Sequence, residues 1–159
     1  MLKVTLIVVG GFKEKYLIDA AREYEKRLSA FCSCQTIELK EERVRDENSQ
    51  PLVAEALRAE GEKILKSIPP RSYKIALCIE GEMMSSESLA ATVATASDTH
   101  GSIALIIGSS HGLDESVKRA CDKRMSMSRM TFPHQLARIM LLEQLYRAFS
   151  INAGKRYHK

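Results

Sequence analysis

The feature that most constrains the fold is the apolar run from Ile103 to Ile107, which has no polar position on either side of a strand. A strand of this composition must be covered on both faces, which is typical of a central strand in a parallel sheet. Gly108 and Gly112 follow it directly, so the run ends in a turn. The run therefore predicts a layered α/β fold in which helices cover both sides of a sheet.

Strand and helix patterns alternate along the rest of the chain. Strands are expected at residues 2–9, 34–39, 73–79, 103–107 and 123–128. Helices are expected at residues 14–30, 51–67, 85–98 and 114–122, and from Pro133 to Phe149. A charged loop separates the second strand from the second helix, and Glu80–Glu82 is expected to form a turn. With no internal repeat or linker, residues 1–159 are predicted to form a single domain with a mostly parallel sheet.

Composition excludes several classes of protein. Hydrophobic residues make up 45% and charged residues 28% of the chain, which are ordinary globular values. No apolar stretch reaches the roughly 20 residues of a membrane span. The apolar start resembles a short signal peptide, but it lacks a charged leader and a cleavage site, so a buried strand and a cytoplasmic location are expected.

The sequence does not predict a metal site or disulfides. The four histidines show no HExxH or i,i+4 spacing, and the four cysteines do not form two metal-binding pairs. We interpret the cysteines as reduced thiols that serve as small hydrophobic residues.

Charge is distributed unevenly along the chain. The net charge is +4, yet residues 115–159 carry ten Lys and Arg against three acidic residues. A basic C-terminal third is typical of a protein with a polyanionic partner, although a solvated face without a partner has the same composition.

Three predicted strand ends form the candidate binding site. They lie at Leu77–Gly81, Gly108–Gly112 and Met127–Pro133. In open α/β sheets ligands bind beyond the carboxyl ends of the strands, and glycine lets the backbone approach a ligand closely. The Gly108 segment lacks the Gly-Lys-Ser/Thr ending of a P-loop, which argues against a nucleotide hydrolase, and no GxSxG elbow is present.

The last predicted helix is apolar on more than one face, which indicates burial on a second side by the sheet or by a partner subunit. Glu143 and Arg147 interrupt this surface at i,i+4 spacing. They form either an exposed ion pair or part of a site or interface.

At this point the C-terminal half closely resembles the ribosomal RNA large subunit methyltransferase H family of the SPOUT superfamily. The resemblance spans the chain in length and element order, and it is densest over residues 103–159. The segments that carry it are Leu105–Leu113, Ser126–Arg138, Leu142–Phe149 and Tyr157–Lys159.

The resemblance implies a C-terminal trefoil knot, a homodimer, and methylation of N3 of a pseudouridine in 23S ribosomal RNA, within the ribosome, from S-adenosylmethionine. By similarity, the residues that contact S-adenosylmethionine would be Leu77, Gly108, Met127, Ser128, Arg129, Met130, Thr131 and Phe132. The C-terminal tail would reach the partner subunit's site and help to hold RNA, and the RNA-binding residues are predicted to be Arg138, Arg156, His158 and Lys159. No membrane and no metal are implied.

We hypothesise that Glu143, Arg147 and His158 surround the target base, with the arginine favouring its anion. Two positions depart from the family: Ser109 stands where a second glycine is usual, and Lys159 where arginine is common. Ser109 is expected either to crowd the cofactor or to point outward. Two alternatives stay open, a non-catalytic module that binds RNA or the ribosome and a different small-molecule enzyme of the α/β class, such as a nucleotide-binding hydrolase.

Overall fold

A computed structural model describes residues 1–157 of the chain, so His158 and Lys159 lie outside the described residues. The elements alternate strictly between strand and helix. In chain order they are β1 (Lys3–Val9), α1 (Lys15–Leu28), β2 (Ser33–Leu39), α2 (Gln50–Ser67), β3 (Tyr73–Met83), α3 (Ser86–Thr99), β4 (Ser102–Ile107), α4 (Glu115–Ala120), β5 (Lys123–Ser126) and α5 (His134–Asn152).

The five strands form one sheet in the order β2-β1-β4-β3-β5, and every pair of neighbouring strands is parallel. β4 is the middle strand, and its residues from Ile103 to Ile107 are buried. The predicted α/β class, parallel sheet and central strand are confirmed. The trefoil knot stays a prediction.

Helices cover both faces of the sheet. α1, α3 and α5 pack on one face, where alternate residues of β1 such as Leu6 join Leu141 and Leu145 of α5 in the larger core. α2 and α4 pack on the other face, where Ile7 of β1 lies in a smaller core with Ile64 and Val117. Leu6 and Ile7 enter different cores because successive side chains of a strand point to opposite faces of the sheet.

α5 is buried on several sides because it lies on the sheet and also contacts α1 and α3. Its polar side chains join these layers: the Ser86 hydroxyl donates to Gln144 Oε1 over 2.7 Å, and the Asn152 amide donates to the Ala90 carbonyl over 2.9 Å. The predicted second buried side is therefore provided by the chain itself. α5 begins one residue later than expected, with Pro133 as its N-cap.

β3 differs from the prediction. Instead of ending at a turn over Glu80–Glu82, the strand continues to Met83. Both Leu77 and Glu82 pair with Met125 of β5, so the intervening residues form a bulge that leaves and rejoins the ladder. The sequence pattern shows Gly81 in this segment, but it does not show that β3 pairs with β5 again after the bulge.

Gly81 makes this bulge possible because it lies directly against the backbone of β5. A Cβ atom at Gly81 would lie 2.5 Å from the Met125 carbonyl carbon. We expect Gly81→Ala to lower the free energy of unfolding by about 1–3 kcal/mol, the usual cost of overpacking, as measured by urea denaturation. Gly154→Ala is the control, since its added Cβ meets no atom and only the positive φ of 65° is strained. Equal stability of Gly81→Ala and the unmodified protein would contradict this packing.

No helix within residues 1–157 is long and apolar enough to cross a membrane. Over the same residues, no three His, Cys, Asp or Glu side chains are grouped as metal ligands would be. The four cysteines are free thiols, and Cys32 packs in the larger core, as expected for small hydrophobic residues.

Candidate active site

A cavity of about 690 Å³ opens at the carboxyl ends of β3, β4 and β5. Its volume falls within the range of about 300–1,000 Å³ that is usual for small-molecule sites. Leu77, Ile107 and Met125 contribute apolar wall from the strands. The three segments that the sequence singled out therefore meet around one concave space.

The glycine loop, residues Gly108–Gly112, forms one side of the cavity. A Cβ at Gly108 would lie 2.1 Å from the Gly112 carbonyl oxygen, so the two ends of the loop are in contact. The Gly112 N–H donates to the Ser109 carbonyl over 2.9 Å, and Gly112 has a φ of 91°, which favours glycine. The sequence of this loop is thus required by its tight shape.

The connection between β5 and α5 forms the opposite side of the cavity. Ser128 fixes its course: the Ser126 hydroxyl donates to the Ser128 carbonyl over 3.0 Å, and the Ser128 hydroxyl accepts from the Met130 N–H over 3.0 Å. Met130 is 73% exposed beside the cavity mouth, and Arg129 is also exposed.

Most of the residues assigned to cofactor binding lie around this cavity. Arg129 does not line it, and the seven that do are Leu77, Gly108, Met127, Ser128, Met130, Thr131 and Phe132. Lys118, which the sequence did not indicate, and Glu80, which lies within the predicted strand end Leu77–Gly81, also line the cavity and form an ion pair. The hydrogen bond from Lys118 holds the pKa of Glu80 below its usual range. No motif marks this pair, because its members lie on different elements.

Of the residues assigned to the target base, Glu143 and Arg147 lie elsewhere in the subunit, and His158 lies outside the described residues. Arg147 Nη2 is 2.6 Å from Glu143 Oε1, and the Tyr157 hydroxyl donates to the same oxygen over 3.2 Å. The Arg147 guanidinium also lies over the Tyr157 ring, 4.8 Å from its centroid. The hydrogen bond to Glu143 raises the pKa of Arg147. The pair is thus half-buried and tied to Tyr157 of the C-terminal segment, a contact that the sequence did not reveal.

This cluster does not line the cavity, which α5 reaches with His134 and Ala137. Arg147 is ten residues beyond Ala137, so it lies about 15 Å further along the helix axis at 1.5 Å per residue. One subunit therefore does not bring Glu143 and Arg147 to its own cavity.

Arg138 is 6% exposed, and its guanidinium is held within the chain. Arg138 Nη1 is 2.8 Å from Glu38 Oε1, and its central carbon lies 4.1 Å from the centre of the Phe12 ring. The guanidinium of Arg138 pairs with Glu38 and so joins α5 to β2, and it is not exposed to solvent. Arg156, by contrast, is exposed.

The basic C-terminal third is partly neutralised by folding. Five of its Lys and Arg side chains form ion pairs, namely Lys118, Lys123, Arg124, Arg138 and Arg147. Three of the partners, Glu38, Glu80 and Glu82, come from the acidic part of the chain. The sequence-level charge balance therefore overstates the free positive charge at the surface.

The family model described as "Predicted SPOUT methyltransferase" matches residues 2–158, and the chain belongs to that family. Solved structures share the fold at low identity. A probable methyltransferase from Bordetella pertussis aligns with a TM-score of 0.59 and 14% identity, covering 93% of this chain and 95% of that one. A putative methyltransferase from Legionella pneumophila, in complex with the bound cofactor SAM, aligns with a TM-score of 0.51 and 12% identity, covering 92% of this chain and 66% of that one.

Curated relatives with higher identity bear a more particular name, ribosomal RNA large subunit methyltransferase H. The protein of that name from Bifidobacterium adolescentis is 48% identical over 160 residues, which cover 99% of this chain and 100% of that protein. The one from Clostridium novyi is 45% identical over 159 residues, with the same coverage of both chains. The family resemblance inferred from the sequence is confirmed.

Proposed function

We propose that the chain transfers a methyl group from S-adenosylmethionine to N3 of a pseudouridine in the 23S RNA of the large ribosomal subunit, in the cytoplasm. The observation that carries this proposal is the cavity bounded by the glycine loop and residues 127–132. The names of the curated relatives support ribosomal RNA as substrate. The bound cofactor of the Legionella protein supports S-adenosylmethionine.

The residues around the cavity fit this cofactor. The glycine loop would form the cradle for the adenosyl group, since Gly108 and Gly112 line the cavity without side chains and leave their backbone groups available at close range. The Lys118 ammonium and the Glu80 carboxylate lie at the polar edge, where they complement the carboxylate and ammonium of the amino-acid end. When bound, the cofactor supplies an electrophilic methyl group on a sulfonium, so the protein needs neither a nucleophile nor a metal.

The chain's own task is to align the base and to assist loss of its N3 proton. As N3 bonds to the methyl carbon, the carbon–sulfur bond breaks and the N3 proton must leave. We assign this assistance to Glu143, Arg147 and His158, with the Arg147 guanidinium stabilising the negative charge that develops on the base.

The proposed site requires two subunits. Glu143 and Arg147 lie outside the cavity of their own subunit, about 9 Å and about 15 Å, respectively, along α5 from its lining residue Ala137. A homodimer in which α5 and the C-terminal tail of one copy face the cavity of the other would bring cofactor and catalytic groups together. Tyr157 packs on α5 beside both residues, so the tail starts from the catalytic cluster.

We further propose that RNA is held by Arg129 and Arg156, together with His158 and Lys159. Arg129 and Arg156 are exposed, and Arg129 lies in the loop beside the cavity mouth. Arg138 is left out of this set because its guanidinium is buried against Glu38.

Salt dependence tests the RNA contacts. Each of Arg129→Ala and Arg156→Ala is expected to weaken RNA binding and to reduce the slope of log K against log salt by about 0.7–0.9, as one phosphate contact is lost. Arg58→Ala is the control, because Arg58 is exposed on α2, on the other side of the sheet from α5. Slopes unchanged in both variants would remove these residues from the interface.

Calorimetry separates the proposed enzyme from its alternatives. We expect saturable binding of S-adenosylmethionine and no binding of ATP, because the chain has no P-loop lysine. Mass spectrometry of 23S RNA from cells that lack the protein should then show loss of one methyl group on a pseudouridine. RNA binding without cofactor binding would indicate a non-catalytic RNA-binding module instead.

A further inference from the structure

Two consecutive residues of α2 lie against the glycine loop and against Asp114, two residues beyond the end of that loop. The Ser109 hydroxyl donates a hydrogen bond to Glu60, with 2.9 Å between Oγ and Oε1. At Gly61, an added Cβ would lie 3.1 Å from the Asp114 Cβ. α2 therefore contacts this segment both near its start and just beyond its end.

Glu60 is buried, with 4% of its surface exposed, although it is a charged residue type. Its second carboxylate oxygen accepts a hydrogen bond from the Glu42 backbone N–H over 3.0 Å. Burial raises the pKa of Glu60. A buried carboxylate is costly unless its oxygens are hydrogen-bonded, and both oxygens of Glu60 have a donor. Glu60 thus joins α2 to the glycine loop through Ser109 and to the segment after β2 through Glu42. Removing its carboxylate from water still costs free energy that an apolar residue at this position would not lose.

The Ser109 side chain is also buried, and its hydroxyl points to Glu60 rather than outward. The outward orientation that the sequence allowed is therefore not adopted, because the hydroxyl is engaged with Glu60 of α2. Its backbone meanwhile takes part in the tight turn, since its carbonyl accepts from the Gly112 N–H. One residue therefore carries both the contact with α2 and the closure of the loop.

We infer that Glu60 is a positioning residue that acts through the Ser109 hydroxyl to hold the glycine loop in the shape that receives the cofactor. The inference rests on the proposed function in that the ligand of the loop is S-adenosylmethionine. Glu60 itself touches neither cofactor nor RNA in this proposal. Its contribution is to keep the loop closed before the cofactor arrives, so that binding does not have to order it.

A double-mutant cycle tests the link. Ser109→Ala and Glu60→Ala are each expected to raise the dissociation constant for S-adenosylmethionine on the order of tenfold, since the lost hydrogen bond involves a charged acceptor. The double variant should bind no more weakly than Glu60→Ala alone, because both changes remove one interaction. Glu62→Ala is the control, because it removes an exposed carboxylate from the same helix and should leave binding unchanged. Independent effects that multiply in the double variant would overturn the inference.

Hydrogen exchange gives a second readout that needs no cofactor and no alanine at Glu60. In the unliganded protein, amides of residues 109–113 are expected to exchange at least about tenfold faster in Ser109→Ala and Glu60→Met, because a loop without this hydrogen bond opens more often. Unchanged exchange in both variants would overturn the inference even if Glu60→Ala fails to fold. If the unmodified protein binds no S-adenosylmethionine, the proposed function fails, while these exchange rates still decide whether Glu60 holds the loop.

Discussion

Replacing Gly108 with alanine is expected to abolish measurable binding of S-adenosylmethionine, with a loss of at least about 100-fold in affinity. The new Cβ would lie 2.1 Å from the Gly112 carbonyl oxygen and 2.6 Å from its carbon. Backbone atoms cannot move aside as a flexible side chain can, so the loop must open and the cradle is lost. A change of 100-fold corresponds to about 2.7 kcal/mol, within the usual range for a forced backbone shift.

Gly101→Ala is the matched control for this experiment. Gly101 joins α3 to β4, and a Cβ there meets no atom within 4 Å, although its φ of 66° is strained for alanine. This variant should lose about 1–2 kcal/mol of stability and retain cofactor affinity. Titration calorimetry with S-adenosylmethionine measures the cofactor affinity of both folded variants. Affinity of Gly108→Ala within twofold of the unmodified protein would show that the glycine loop is not the cofactor cradle.

Replacing Arg147 with alanine is expected to lower kcat for methyl transfer to ribosomes by about 100- to 1,000-fold, the usual effect of removing one group that stabilises developing charge. Cofactor affinity should be unchanged, because in the proposed dimer Arg147 contacts the target base and not the cofactor. Arg147→Lys keeps the charge but not the planar guanidinium, and it should recover only part of the rate. Full activity of Arg147→Ala with unchanged folding would remove this residue from the mechanism.

Mixed dimers sharpen this prediction. Subunits with Gly108→Ala and subunits with Arg147→Ala should each be inactive alone. When they are co-expressed and purified as a heterodimer, one of the two sites should have both an intact Gly108 and an intact Arg147. The activity per dimer should then be about half that of the unmodified dimer. Absence of recovery, with both subunits folded and paired, would place the two residues in the same site of one subunit.

The sequence predicted the sheet because the patterns that indicate a strand and its end lie within a few consecutive residues. The apolar run of β4 and the turns after it reveal a buried strand and its end without knowledge of any partner. The strand ends also indicated the cavity, since parallel strands finish at one edge. The family resemblance then supplied the chemistry that the residue pattern alone left open.

What the sequence did not reveal depends on contacts between distant segments. Arg138 was assigned to RNA, but its partner Glu38 lies 100 residues away, and no local pattern links them. The bulge before Met83 similarly depends on where β5 pairs, and the Ser109 orientation depends on Glu60 of α2. Such pairings follow from the topology, which periodicity does not encode.

The position of α5 has a consequence for synthesis of the chain. Leu6 near the N-terminus shares its core with Leu141 and Leu145, so the first strand to be made is covered by the last helix. Until α5 has been synthesised, that side of the sheet is covered only by α1 and α3. Native packing is therefore completed only once α5 is available, and a chain that stalls before α5 would expose an apolar surface prone to aggregation.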